Sequence, residues 1–297
     1  MKKIAIIGTG RIGKALEYLA PSTKIEVALF DANPEMPRNV ESLQEAVVDA
    51  EIVFLGVPSW VVRKVMEEAS ALAPDSALFV ALSKGIEENS KKTMDIVLSE
   101  TVQKNQTFAL LSGPTMAEEV VQGGGVAAIV GSEDKGSLEI LQELFVDAKI
   151  LLEYSSDIHS VALSAVLKNI YAMILGIANA MNISESAEGM LLVHIIREMR
   201  IILKKLDGDP DMALSLAGLG DMALTGFSPH SRNRNCGKEL VETGEISKKS
   251  EGFTALPSLV GLLEGDMDDL PLLAILYAVI VENKSAKEKM EEYLDKK

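Results

Sequence analysis

Cysteine is nearly missing from this 297-residue chain. Cys236 stands alone, so no intramolecular disulfide forms and a reducing cytoplasm is expected. Histidine is scarce as well: the three residues are far apart, and with one cysteine they offer no metal-ligand spacing, so Cys236 reads as a structural bystander and no metal is expected. Basic residues are outnumbered, 29 Lys and Arg against 44 Asp and Glu, and the formal charge of −15 disfavours nonspecific attraction to nucleic acid or an anionic membrane. Any anionic ligand has to meet locally placed cations. The N-terminus passes in three residues into "IAIIG", with no basic segment followed by an apolar signal core and no small-residue cleavage site, so secretion is not expected. Residues 160–181 are apolar enough to span a membrane, yet Ser164, Lys168, Asn169 and Asn179 make lipid exposure costly and no polybasic flank sets a topology. A buried core helix is expected instead, with no membrane insertion.

What the chain does have is enough length for two domains and 47% hydrophobic residues to fill their cores. Its first half alternates strand-length apolar runs, "KIAIIG", "KIEVALF", "EIVFLGV", "SALFVAL", "TFALLSG", "VAAIVG" and "KILLEY", with helical stretches. That alternation predicts an α/β fold with a doubly wound, mostly parallel sheet covered on both faces. After Ser156 the pattern becomes long apolar helices, at 158–181, about 187–206 and about 271–281, with no convincing strand between them. The boundary is placed near residue 154, giving an N-terminal dinucleotide-binding domain (1–154) and an all-α C-terminal substrate and catalytic domain (155–297). The final "NKSAKEKMEEYLDKK" reads as a solvated amphipathic helix with a frayed end.

"IAIIGTGRIGKAL" spaces Gly8, Gly10 and Gly13 as G-x-G-x-x-G between an apolar strand and a helix starting near Arg11, the Rossmann-like arrangement. The first glycine permits the tight turn, the second admits a pyrophosphate to the backbone, and the third lets helix and strand pack closely. The helix N-terminus then offers N–H groups and positive dipole to the phosphates. A second strand ends in Asp31, at about the distance where an acid receives the ribose hydroxyls; it also repels a 2′-phosphate, favouring NAD over NADP. The alternative for Asp31 is a turn-capping aspartate.

Lys84 closes the strand "SALFVALSKG", and "LLSGPT" ends another strand with Gly113 and Thr115, so all three belong to the strand-end edge where open parallel sheets bind ligands. Lys168 is the only formal charge between Asp157 and Glu185. A buried unpaired ammonium costs several kcal/mol or lowers its pKa, by roughly 3 to 5 units at the extreme, which suits a proton acceptor; the bland alternative is a lysine that snorkels to solvent. Asp221 is equally isolated in "MALSLAGLGDMALTGFS", so the two opposite charges are expected to meet at one polar spot. Ser231, Arg232 and Asn233 follow closely, a cluster suited to a phosphate because guanidinium binds its oxygens bidentately.

Through "GTGRIG", "VPS", "SKG", "LSGPTMAEEV", "LKNIYA", "LAGLGDMALT", "SRNR" and "SEG", in order along nearly its whole length, the chain resembles the bacterial-type NAD(P)-dependent glycerol-3-phosphate dehydrogenase family. The resemblance implies hydride transfer between NAD(H) and glycerol 3-phosphate or dihydroxyacetone phosphate, in the cytoplasm, and leaves a homodimer open. It makes Lys168 the proton acceptor with Asn169 beside it, Lys84 a contact of cofactor and substrate, and Gly113 and Thr115 part of the substrate site. Asp221 orients the lysine, and Ser231, Arg232 and Asn233 surround the substrate phosphate, with Arg232 also near the cofactor. Arg11, Ile12, Ala117 and Glu251 are implied as cofactor contacts. Three departures stand out: a shortened crossover between the second and third strands, Ala162, Ser164 and Ala165 where the family shows Glu or Gln and a Gly pair, and His194 where arginine is common. Two rival readings are a β-hydroxyacid-type dehydrogenase acting on another small substrate and a noncatalytic NAD-binding sensor derived from the family.

Overall fold

The structure, a computed structural model, describes residues 2–20 and 25–295. The chain divides into two compact units, one of residues 1–84 and 93–162, the other of residues 85–92 and 163–297. The short excursion at 85–92 is a feature that composition along the sequence does not announce.

The described strands are β1 (Lys2–Ile7), β2 (Ile25–Phe30), β3 (Ile52–Leu55), β4 (Leu78–Ala81), β5 (Ile86–Glu87), β6 (Lys92–Thr93), β7 (Thr107–Ser112), β8 (Val126–Gly131) and β9 (Ile150–Ser155). Lys24, with which the second strand was expected to open, lies outside the described residues. In the first unit seven strands form one sheet in the order β2-β1-β3-β4-β7-β8-β9, and β5 and β6 form a separate two-stranded ladder. All neighbours in the large sheet run parallel except β7 and β8. Every residue of β3 and β4 is buried, as expected of strands covered on both faces. The core under the helices gathers Ile4, Ile6, Phe54, Leu78, Val80 and Leu141, with the Phe54 and Phe145 rings 6.1 Å apart.

The chain leaves β1 for β2 on one side and returns to β3 on the other. That reversal opens a crevice beyond the carboxyl ends of the strands, the place where such sheets take up ligands.

The second unit is built on a 23-residue helix, Ile158–Ala180, which enters it at Leu163. It is the one described helix long and apolar enough to cross a membrane, and its most apolar window is wholly buried. Around it stand helices Glu185–Lys205, Asp221–Phe227, Arg232–Glu242, Glu251–Leu262, Pro271–Ile280 and Ala286–Asp295. The last of these is not simply solvated, because it buries Met290 and Tyr293; the expected frayed end falls on residues outside the described ones. Glycines bring three helices to backbone contact. A Cβ on Gly176 would lie 2.0 Å from Arg234 O, one on Gly237 would lie 2.0 Å from Met173 O, and one on Gly252 would lie 2.2 Å from Asn169 O. The starts of helices Arg232–Glu242 and Glu251–Leu262 are thereby held close to the middle of the long helix, where Lys168 and Asn169 stand.

Candidate active site

In the first unit, Gly8 holds φ at +91°, and a Cβ there would lie 2.8 Å from the backbone of Gly56. A Cβ on Gly13 would lie 2.4 Å from Gly8 O, so the helix Arg11–Leu19 can approach the turn only without a side chain at that point. Over Gly10 an added Cβ meets nothing within 4 Å. Gly10 is also the N-cap of that helix and supplies no side-chain cap, which leaves the first N–H groups to an anion. Thr9 Oγ1, in the same turn, is buried without a hydrogen-bond partner among the described residues. An open backbone, a helix N-terminus without a side-chain cap and a hydroxyl with no partner among the described residues together fit a dinucleotide pyrophosphate.

Asp31 stands just past β2. Its Oδ2 accepts from Thr9 N at 2.9 Å and its Oδ1 from Asn33 N at 2.9 Å. The carboxylate therefore caps its own turn and is tied to the glycine turn as well. Each oxygen keeps a second lone pair, enough for ribose hydroxyls. Arg11 pairs with Glu118 Oε1 at 3.0 Å on the surface. Ala117 is buried in a small apolar cluster of this unit, and the partly buried Ile12 packs against it. Lys84 lies three residues beyond β4, and its Nζ donates to Gly113 O at 3.3 Å. Gly113 follows β7 with φ +136°, and Thr115 N donates back to its carbonyl at 2.8 Å. Lys84, Gly113 and Thr115 are thus brought together at the ends of two adjacent strands.

In the second unit, Lys168 and Asp221 meet. Lys168 Nζ is 3.0 Å from Asp221 Oδ1, with side-chain exposures of 7% and 3%, which rules out a snorkelling lysine. Nζ also donates to Thr225 Oγ1 at 2.8 Å, and Thr225 Oγ1 in turn donates to Asp221 Oδ1 at 3.2 Å. Ser164, one helical turn before Lys168, has a buried Oγ with no hydrogen-bond partner among the described residues. Asn169 Oδ1 accepts from Asn233 Nδ2 at 2.8 Å, while Asn233 Oδ1 accepts from Gly252 N at 2.9 Å. Ser231 caps helix Arg232–Glu242, Arg232 is its exposed first residue, and Glu251 begins the helix capped by Ser250. Two helix N-termini, two asparagines and an arginine therefore gather within one unit, a donor-rich arrangement suited to an anion.

Thr225 was not singled out from the sequence, although its signal was present: it lies four residues after Asp221, on the same helical face. A π-helical turn, Leu216–Gly220, precedes that helix and has no sequence signature of its own. Gly218 permits it, since a Cβ there would lie 2.3 Å from Ala213 O. Glu198 was missed too. This buried carboxylate accepts from Tyr171 Oη at 2.8 Å and from Leu272 N and Leu273 N at 2.7 and 3.0 Å, anchoring the long helix one turn beyond Lys168. Burial, and after it the nearby Glu198 charge, holds the Tyr171 phenol well above its ordinary pKa. Cys236 is buried, and burial pushes its thiol up to about 11. Among the described residues no cluster of His, Cys, Asp and Glu could hold a metal ion.

A dinucleotide cradle in one unit and a buried lysine with an acid partner in the other are the marks of a nicotinamide-dependent dehydrogenase with a helical catalytic domain. Residues 33–138 match the model of the NAD-dependent glycerol-3-phosphate dehydrogenase N-terminus, and residues 157–291 match that of its C-terminus. The NAD(P)+ glycerol-3-phosphate dehydrogenase of Fusobacterium nucleatum is 31% identical, over 100% of this chain and 98% of that protein. The glycerol-3-phosphate dehydrogenase structure from Coxiella burnetii superimposes with a TM-score of 0.89 at 21% identity, covering 99% of this chain and 98% of that one. That from Plasmodium falciparum gives 0.84 at 18% identity, over 98% and 94%. This chain belongs to the NAD-dependent glycerol-3-phosphate dehydrogenase family.

Proposed function

We propose that this chain interconverts dihydroxyacetone phosphate and glycerol 3-phosphate, with Lys168 as its acid–base residue. The observation that carries the reading is the buried contact of Lys168 with Asp221 and Thr225, which holds a single amine at a defined point. A bound nicotinamide supplies the hydride to C2 in reduction and takes it up in oxidation. In reduction Lys168 gives a proton to the oxygen on C2; in oxidation it removes the hydroxyl proton. Asp221 and Thr225 fix the amine's direction. Lys84 stabilises negative charge on the substrate oxygen, with Gly113 and Thr115 lining the site. Arg232, Asn233 and Ser231, with Asn169, hold the phosphate and so align the reacting carbon. Asp31 receives the adenosine ribose and favours NAD over NADP, while Gly8, Gly10, Gly13, Arg11, Ile12, Ala117, Arg232 and Glu251 complete the cofactor contacts.

The single cysteine supports a cytoplasmic location, and the excess of acidic residues supports a small-molecule partner over nucleic acid. A homodimer is compatible with this reading, and light scattering distinguishes it from a monomer. The functional test is NADH oxidation by the purified protein with dihydroxyacetone phosphate, beside Lys168→Ala. Wild-type turnover that falls by roughly 10²- to 10⁴-fold in the variant is expected. Turnover unchanged in Lys168→Ala would remove the assignment of the base, and turnover only with a small hydroxyacid would move the substrate.

A further inference from the structure

Trp60 is the only tryptophan in the chain, and the residue is 51% exposed. A lone exposed apolar side chain is ordinary on a protein surface, so exposure by itself says little. Its position says more. Trp60 occupies the short turn Ser59–Val61, five residues past β3, on the carboxyl-end edge of the sheet. That segment springs directly from the wall of the glycine turn: Gly56 N donates to Ile7 O at 2.8 Å, and a Cβ on Gly8 would lie 2.9 Å from Val57 Cγ1.

The segment is also held in place. Pro58 fixes the backbone at the entry to the turn, Val61 N donates to Pro58 O at 3.1 Å, and Val62, which opens the next helix, is fully buried. An indole is therefore presented to solvent from a braced turn adjoining the pyrophosphate cradle.

We propose that Trp60 is a cofactor-affinity residue, offering its ring face to one of the two planar heteroaromatic rings of the bound dinucleotide. The inference rests on the dinucleotide reading of the glycine turn. Indole has a broad π-face, and stacked rings gain beyond the area they bury. The two rings are distinguishable by charge. Only the oxidised nicotinamide is cationic, so stacking there favours NAD+ over NADH, whereas stacking on adenine serves both forms equally.

The test is titration calorimetry of NAD+, NADH and ADP-ribose on the wild-type chain, Trp60→Phe and Trp60→Ala, with tryptophan emission of the wild type followed during additions of ADP-ribose or nicotinamide mononucleotide. Trp60→Ala is expected to weaken NADH binding by about tenfold, and Trp60→Phe, which keeps a stacking ring, by less than about threefold. A parallel loss of ADP-ribose affinity, with an emission shift on its addition, assigns the adenine. A loss confined to the dinucleotides, larger for NAD+, with emission responding to the mononucleotide, assigns the nicotinamide. Wild-type affinity in Trp60→Ala, or emission that neither fragment moves, would overturn the inference and leave the cofactor reading standing. A wild-type chain that binds no dinucleotide at all would overturn both.

Discussion

Lys168 Nζ lies 3.0 Å from Asp221 Oδ1, and both side chains are almost wholly withdrawn from water. Such a pair recovers its desolvation cost only while both members remain. Asp221→Ala, which leaves the ammonium buried, is expected to destabilise the fold by about 3–5 kcal/mol in urea unfolding. Adding Lys168→Met removes the stranded charge and should restore most of that loss. Both variants are expected to be inactive with dihydroxyacetone phosphate, so stability and turnover separate in the double variant. Additive single-variant costs would mean that the two groups do not depend on each other.

Thr225 accepts from Lys168 and donates to Asp221. Thr225→Val keeps the shape and removes both hydrogen bonds, so kcat should fall by about tenfold or more, equivalent to roughly 1.4 kcal/mol of lost positioning. Thr225→Ser keeps the hydroxyl and should stay within a few fold of wild type. The KM for NADH should be unchanged in both, because the hydroxyl bonds to the proposed acid–base lysine and its carboxylate partner.

The large elements were legible because their burial is two-sided. Runs such as "IVFL" and "LFVA" are apolar throughout only when a sheet is covered on both faces, and both are fully buried here. Direction was less legible: "VAAIVG" carries nothing that marks it as antiparallel to β7, since an apolar run reads the same either way. The return of residues 85–92 to the second unit has no compositional signal either. In the site, Lys168 and Asp221 were visible as isolated charges in apolar surroundings. Glu198 was not, because it lies among the charges of "IIREMRIILKK" and only the fold shows that it alone turns inward to Tyr171 and the start of helix Pro271–Ile280. Asn233 was read as a ligand for phosphate, but its links to Asn169 and Gly252 N required the glycine contacts that bring three helices together.

Those links make Asn233 separable in its two roles. Asn233→Ala removes the acceptor of Gly252 N–H and should both lower the melting temperature and raise the KM for dihydroxyacetone phosphate by about tenfold, the value of one hydrogen bond to a charged group. Asn233→Asp retains an acceptor for Gly252 but puts negative charge where an anion is proposed to bind. It should keep more of the stability than Asn233→Ala while raising KM further. Equal KM values in the two variants would detach Asn233 from the phosphate.

Asp31 is hydrogen-bonded to the glycine turn through Thr9 N, so its charge is fixed in place beside the proposed ribose site. Asp31→Ser removes a charge that would repel a 2′-phosphate at the proposed ribose site, together with an acceptor that would take a ribose hydroxyl there. The ratio of kcat/KM for NADH to that for NADPH should drop by about tenfold or more, through loss on NADH and gain on NADPH. A ratio unmoved by the substitution would reduce Asp31 to a turn cap.

Cys236 gives the fold an alkaline limit. Burial is the main cause of its raised pKa of about 11, opposed by a hydrogen bond with Ser250 and reinforced by the Glu239 charge; the ordinary value is 9.0. Between these two values the unfolded chain has released the thiol proton while the folded chain still holds it. The unfolded state thus binds fewer protons, and stability must fall as pH rises through that window. The contribution is fully present below pH 9 and is lost as pH climbs to about 11, amounting to roughly 3 kcal/mol for a two-unit separation. Cys236→Ala gives up some packing at neutral pH but has no thiol to titrate. Urea unfolding of both proteins at intervals from pH 8 to 11 should therefore show the wild type's advantage shrinking steadily, whereas parallel curves would place the thiol in contact with water.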